Sequence, residues 1–196
     1  MCNKFGYNSP LHRLIERFGD AGLTFDDPPG FNLAPREEIN PTDPALVVSG
    51  APGALELRQM RWGFAPPRPK APPVINFRSE GRTFGAGRCL VPATHFFEFT
   101  GTIYPRMRWR FTMPSEAPFC MAGLCRGVGD EARFTLLTID SGPDVAPFHN
   151  RQIVPLPASA WAAWLDPASP GETLLRAGPA GSLGAEQVIP NTQIVG

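Results

Sequence analysis

Lysine is almost missing from this chain: of eighteen basic residues only Lys4 and Lys70 are lysines, so sixteen are arginines, the side chain suited to bidentate contact with phosphate, though GC-rich codon usage accounts for the excess equally well. Eighteen acidic residues cancel that charge and leave a formal net charge of zero. This excludes a globally basic nucleic-acid binder and confines any such role to a local surface. No stretch approaches the roughly 20 apolar residues that a membrane-spanning helix requires. The opening MCNKFGYNSPLHRLIERFG lacks the basic-then-apolar order of a secretory signal, which predicts a cytoplasmic protein whose four cysteines stay reduced. Histidine is scarce at three residues, and Cys89, Cys120 and Cys125 lack the paired spacing of zinc ligands, so no metal is expected. No cofactor is expected either, because GAGR at 85–88 lacks the lysine and helix of a phosphate loop.

What the chain has in excess is proline and glycine, 24 and 20 residues. That many helix breakers exclude a helical bundle and predict strands joined by loops. Leu11, Leu14, Ile15 and Phe18 fall at helical spacing, with Gly19 to close the helix. ALVVS (45–49), ALELRQMRWGF (54–64), CLVPATHFFEF (89–99), YPRMRWRFTM (104–113), FCMAGLC (119–125) and RFTLLTID (133–140) read as strands. In the second of these, Leu55, Leu57, Gln59 and Arg61 face opposite to Glu56, Arg58, Met60 and Trp62. APPRPKAPPV (65–74) reads as an extended surface loop. SAWAAWL (159–165) reads as a second helix with Ser159 as N-cap, and the Gly-, Pro- and Ala-rich tail after about residue 166 reads as irregular. The expected fold is a single α+β domain over residues 1–196 with a mixed or antiparallel, barrel-like β core and a few peripheral helices. A monomer is expected.

A cysteine directly after the initiator methionine carries specific chemistry. Removal of Met1 would leave Cys2 with a thiol and a free α-amine on neighbouring carbons, a 1,2-aminothiol. Its amine, of ordinary pKa near 7.7–8.0, condenses with an aldehyde to an imine, and the thiol then closes a thiazolidine ring. An abasic deoxyribose in its ring-opened form presents such an aldehyde. Alone, the position is equally compatible with an inert terminal thiol.

Seven segments, in order, resemble the SOS-response-associated peptidase family: MCNK (1–4), FNLAP (31–35), RWGFAP (61–66), NFRSE (76–80), CLVPATHFFEF (89–99), MAGL (121–124) and PFHNRQIVPL (147–156). The resemblance implies a sensor that crosslinks abasic sites in single-stranded DNA through Cys2, with autopeptidase and abasic-site lyase activity. It implies catalytic roles for Cys2, for Asn76 in positioning cysteine and sugar, for Glu98 as acid/base and for His149 in proton exchange. It also implies phosphate contacts by Lys4, Arg78 and Arg151, and apolar wedges at Pro35, Trp62 and Phe64, the two aromatics having core packing as their competing role. The chain departs from the family pattern at Asn3, Lys4, Phe77, Phe99 and Asn150.

Separately, Arg106, Arg108 and Arg110 alternate with Met107, Trp109 and Phe111, placing three cations on one strand face. A phosphate track and a solvated face paired with local carboxylates both fit. Two other functions fit the same residues: a thiol peptidase acting on proteins through Cys2 and His149, and a noncatalytic single-stranded DNA binder.

Overall fold

The computed structural model describes residues 2–25, 34–66, 68–114 and 118–188. Its strands are β1 (Lys4–Tyr7), β2 (Arg36–Ile39), β3 (Pro44–Ser49), β4 (Glu56–Trp62), β5 (Asn76–Arg78), β6 (Arg88–Ala93), β7 (His95–Thr100), β8 (Met107–Thr112), β9 (Phe119–Arg126), β10 (Arg133–Asp140), β11 (Arg151–Ile153), β12 (Pro155–Leu156) and β13 (Gly184–Val188). Two α-helices accompany them, α1 (Leu11–Asp20) and α2 (Ala158–Leu165). The α+β expectation with a mixed, closed β core holds. Strands β4, β3, β6, β9 and β10 are successive neighbours, and β10 pairs in parallel with β4 to close a ring whose other contacts are antiparallel. The far halves of β10 carry β5 on one edge and β11 on the other. A second, fully antiparallel sheet runs β13-β8-β7-β1-β2.

Aromatic side chains join the two sheets. Phe5 of β1 meets Trp62 of β4 edge-on at 5.0 Å, and Trp62 stacks on Phe134 of β10 at 6.3 Å. Trp62 is fully buried and its indole N–H donates to the Ile75 carbonyl at 2.9 Å. Helix α1 buries Leu14 and Phe18, and Phe18 lies 4.5 Å from Trp161 of α2. Among the described residues no helix is long and apolar enough to cross a membrane.

Several sequence expectations are corrected. Gly19 does not close α1; the helix passes through it, and Gly22, at φ 73, takes the left-handed position that only glycine adopts without strain. The Leu23 N–H then bonds back to the Phe18 carbonyl at 2.8 Å and the Gly22 N–H to that of Gly19 at 2.9 Å. Ser159 is not an N-cap; that position is Pro157, and Ser159 lies inside α2. The segment 89–99 is two strands rather than one, because Thr94 ends β6 in the ring and β7 starts in the other sheet. In β4 both parities are buried, Leu57 on one and Met60 and Trp62 on the other, while its register with β3 stays unbroken. The strand is therefore covered on opposite faces at its two ends. The tail is not wholly irregular either, since β13 adds an edge to β8.

Two close contacts hold this arrangement. Arg88 is buried, and its guanidinium donates to the carbonyls of Phe84, Asp166 (3.0 Å) and Ser169 (2.8 Å), tying the chain that leaves the α2 C-terminus to the segment ahead of β6. Gly6 packs its bare Cα against the imidazole of His95; a Cβ there would stand 2.4 Å from that ring and from the Glu37 carbonyl oxygen. Arg88→Met should lower the unfolding free energy by about 3 kcal/mol, because buried carbonyls lose their donors. Gly6→Ala should cost about 1–3 kcal/mol by overpacking. Denaturant midpoints check both, and an unchanged midpoint would refute the corresponding contact's role.

Candidate active site around Cys2

Cys2 is completely buried, immediately ahead of β1. Its thiol donates to the Lys4 carbonyl at 3.2 Å. Burial, and then the Glu98 carboxylate, push the thiol far above its ordinary range, so it is a neutral S–H at physiological pH. The main chain of Cys2 is gripped on both sides. Asn76, at the start of β5, donates its amide N–H to the Cys2 carbonyl at 2.7 Å, and the Glu98 carboxylate on β7 accepts the Cys2 backbone N–H. The other amide atom of Asn76, Oδ1, is buried without a hydrogen-bond partner among the described residues.

The register of β1 with β7 explains the meeting. Lys4 pairs with Phe97 and Phe5 with Phe96, so extending the strand toward its start brings Cys2 level with Glu98 and Phe99. Glu98 shares the inward face with its cross-strand partner Trp109 and is only 1% exposed. Burial raises its pKa to about 7, against the lowering effect of the positive chain terminus and the Cys2 N–H. It is thus a carboxyl that exchanges protons near neutrality.

His149 sits half-buried in the turn between β10 and β11. Its Nδ1 lies 3.0 Å from the Arg151 backbone nitrogen and 3.1 Å from the Arg151 carbonyl oxygen, which fixes the ring's orientation. Burial, then the charge of the chain terminus, lower its pKa, so the ring is neutral at pH 7. The same terminal charge acts on Cys2, Glu98 and His149, so the three share one electrostatic neighbourhood. The structure therefore brings together the four residues expected to be catalytic.

The residues expected to meet DNA divide into two groups. Arg78 is exposed and lies two positions along β5 from Asn76, on the same face. Phe77 points to the opposite face, where Arg82 covers its ring at 4.7 Å, so it does not crowd Asn76. Pro35 is exposed and Phe64 is half-buried beneath the guanidinium of Arg126 at 4.0 Å; the other positions of the FNLAP turn up to Leu33 lie outside the described residues. Trp62, by contrast, is a core residue with no face left for a base.

Arg151 is also turned inward. It is 5% exposed and forks onto Glu80, Asp140 (2.7 Å) and the Thr138 carbonyl (2.7 Å), which holds the Glu80 carboxyl down at about 2. Its guanidinium braces β11 against β10 and is not presented to a phosphate. The arginine stripe is largely answered by carboxylates of β2. Arg108 pairs with Glu38, which also receives Lys4 at 2.7 Å, and Arg110 pairs with Glu37 at 3.3 Å. Arg106 stays exposed beyond the strand.

The sequence reading missed Glu37, Glu38, Glu80 and Asp140 as partners. Only the pair of acids in REEI offered a signal, and nothing local linked it to β8. His95, given little weight, is fully buried, with Nε2 2.9 Å from the Glu37 carbonyl oxygen and Nδ1 3.0 Å from Thr94 Oγ1. Among the described residues no group of His, Cys, Asp or Glu is placed to hold a metal ion. A cavity of about 380 Å³ opens elsewhere, where Gln152, Leu156, Ala160 and Leu183 line it, and none of the expected site residues does.

Comparison with known proteins bears on this site. The family model described as SOS response associated peptidase (SRAP) matches residues 1–192. A solved structure of a protein from Bordetella bronchiseptica superposes with a TM-score of 0.75 at 23% identity, covering 96% of this chain and all of that one. A phage-related protein from the same organism gives 0.72 at 23% identity, covering 95% and 94%. One from Bacteroides thetaiotaomicron gives 0.76 at 16% identity, covering 96% and 93%. No curated protein matches in sequence. A match running from the buried Cys2 through Asn76, Glu98 and His149 to the edge strand β13 leaves one conclusion: the chain belongs to the SOS response associated peptidase family.

Proposed function

We propose that this protein captures abasic sites in single-stranded DNA by forming a thiazolidine at Cys2 once Met1 has been removed. The observation that carries the reading is the double grip on Cys2: Asn76 holds its carbonyl and Glu98 its nitrogen. Chain ends ordinarily fray, and this one is fixed at the nitrogen that would become the amine. Hydrolysis of the Met1–Cys2 peptide bond frees that amine, which gives the peptidase activity a substrate within the chain itself.

The chemistry then balances with groups already present. Glu98 takes a proton from the Cys2 ammonium, and the neutral amine adds to the sugar aldehyde. Loss of water gives the imine. The thiol adds across the C=N bond, its sulfur to carbon and its proton to nitrogen, closing the ring. Asn76 Oδ1 is an available acceptor for a sugar hydroxyl, and the His149 ring a group to exchange a proton with the departing oxygen. The imine also acidifies the neighbouring sugar carbon, opening a β-elimination route that would cleave the strand. Arg78 would hold a flanking phosphate, as would Lys4 on leaving Glu38, with Pro35 and Phe64 against the bases.

The processed protein, mixed with an oligonucleotide bearing an abasic site, should gain the oligonucleotide's mass less one water, in an adduct that survives denaturation. Cys2→Ala should abolish the adduct while retaining salt-sensitive binding of the strand. Equally fast adduct formation by protein that retains Met1 would sink the mechanism, and turnover of unrelated peptides through Cys2 would favour the thiol-peptidase alternative.

The pH dependence follows from Glu98. Burial raises its carboxyl to about 7 in the chain that carries Met1; the group is protonated below its pKa and a base above it, so the single-turnover rate of adduct formation by the processed protein should climb with pH through an inflection set by Glu98. Glu98→Gln should slow the reaction by 10²–10⁴-fold, the ordinary yield of general acid–base catalysis, and remove that inflection. A Glu98→Gln profile superimposable on the parent's would exclude the role.

A further inference from the structure

The turn between β7 and β8 is used by nothing described so far. Among the described residues four large hydrophobic side chains are prominently exposed, and three of them fall on this one hairpin: Ile103 at 83%, Tyr104 at 91% and Met107 at 49%. Single exposed apolar residues are ordinary, but three beside one another mark a contact surface. Arg106 is exposed among them. No acidic residue occurs between Glu98 and Glu116, so the tip presents cationic and apolar groups without a carboxylate of its own.

Strand register locates the tip relative to the nucleophile. Thr100 pairs with Met107 and Phe99 with Arg108, so residues 101–106 project past the last pair of the hairpin. Running β1 alongside β7 puts Cys2 level with Phe99. The tip therefore overhangs the end of the sheet where Cys2 lies, by at most about 13 Å along the strand direction at about 3.3 Å per residue. A polymer whose reacting atom is seated at Cys2 meets this hairpin within a few of its units.

We infer that the β7–β8 tip is a stacking platform for single-stranded nucleic acid, with Tyr104, flanked by Ile103, against a base near the lesion and Arg106 on the adjoining phosphate. The chemistry favours this occupant over a protein. An exposed aromatic ring set beside an exposed guanidinium matches the alternating base and phosphate of a strand. The inference rests on the function proposed above for Cys2, and it assigns that site's substrate a second anchoring point.

The test uses the processed protein and a single-stranded oligonucleotide carrying a stable, unreactive tetrahydrofuran analogue of the abasic site. Tyr104→Ala should weaken binding about tenfold, the loss of one stacked base, while Tyr104→Phe should keep the parent affinity. Arg106→Ala should flatten the dependence of affinity on salt by about one phosphate contact. With 5-iodouracil placed near the analogue, photocrosslinks should map to Tyr104. Since Tyr104 is 91% exposed, its removal should leave thermal unfolding unchanged. Unchanged affinity of Tyr104→Ala, or crosslinks that map only elsewhere, would overturn the inference, and the latter would leave a protein partner as the tip's occupant. Adduct formation between Cys2 and free deoxyribose reads the Cys2 chemistry alone. If that adduct forms while Tyr104→Ala binds normally, only the hairpin inference fails. If no adduct forms while Tyr104→Ala weakens binding, only the crosslinking reading fails.

Discussion

The grip of Asn76 and Glu98 on the backbone of residue 2 is the contact on which the site depends. Neither residue belongs to the element it holds, and they come from different sheets, Asn76 from a short strand paired to the ring and Glu98 from the middle of the second sheet. A chain terminus has little of its own to lock it, since each ordered residue costs about 1–2 kcal/mol of backbone entropy. Here the carbonyl and the nitrogen are both satisfied from outside, and burying a carboxyl beside the nitrogen sets its proton affinity near neutral pH. Position and protonation therefore share one cause.

The positive charges show a similar economy. Sixteen arginines in a chain of zero net charge suggested a dedicated surface for phosphate. Much of that charge is spent internally instead. Arg151 ties β11 to Glu80 and Asp140, Arg88 ties the chain leaving α2 to the segment ahead of β6, and Arg108 and Arg110 lean on Glu38 and Glu37. Arg108 also lies over the Phe97 ring at 3.6 Å. The guanidinium fork suits such roles because one side chain can serve several acceptors at once. Arg78 and Arg106 stay exposed.

What could be read from the sequence was whatever local pattern encodes. Strand-like segments predicted β3, β4, β8, β9 and β10, with alternation plainest in β4 and β8; helical spacing predicted α1, and SAWAAWL after its proline turn predicted α2. Motif resemblance marked out Cys2, Asn76, Glu98 and His149, which the chain folds into one neighbourhood. What could not be read was whatever depends on distant strands meeting. Trp62 looked free for a base because nothing local shows that Phe5 and Phe134 close over it. Arg151 looked available because Glu80 and Asp140 reach it only through the pairing of β5 and β11 with β10. The helix end at Gly22 rather than Gly19 was hidden because both glycines fit the spacing, and only the left-handed φ separates them. The tail strand β13 is poor in β-forming residues and exists by virtue of the edge that β8 offers.

Thr94 is where one continuous extended run leaves the ring and enters the second sheet. Its hydroxyl approaches the carbonyl of Gly6 at 3.4 Å and Asn8 Oδ1 at 2.9 Å, and its N–H also bonds to the Gly6 carbonyl at 2.9 Å, so the crossing is stapled to β1, the strand that Cys2 leads into. Any sliding of one sheet over the other must shear this crossing, and the N-terminal strand would be dragged with it. The two sheets that supply the jaws around residue 2 thus share one length of chain through Thr94, and their alignment is inherited from that continuity as well as from packing.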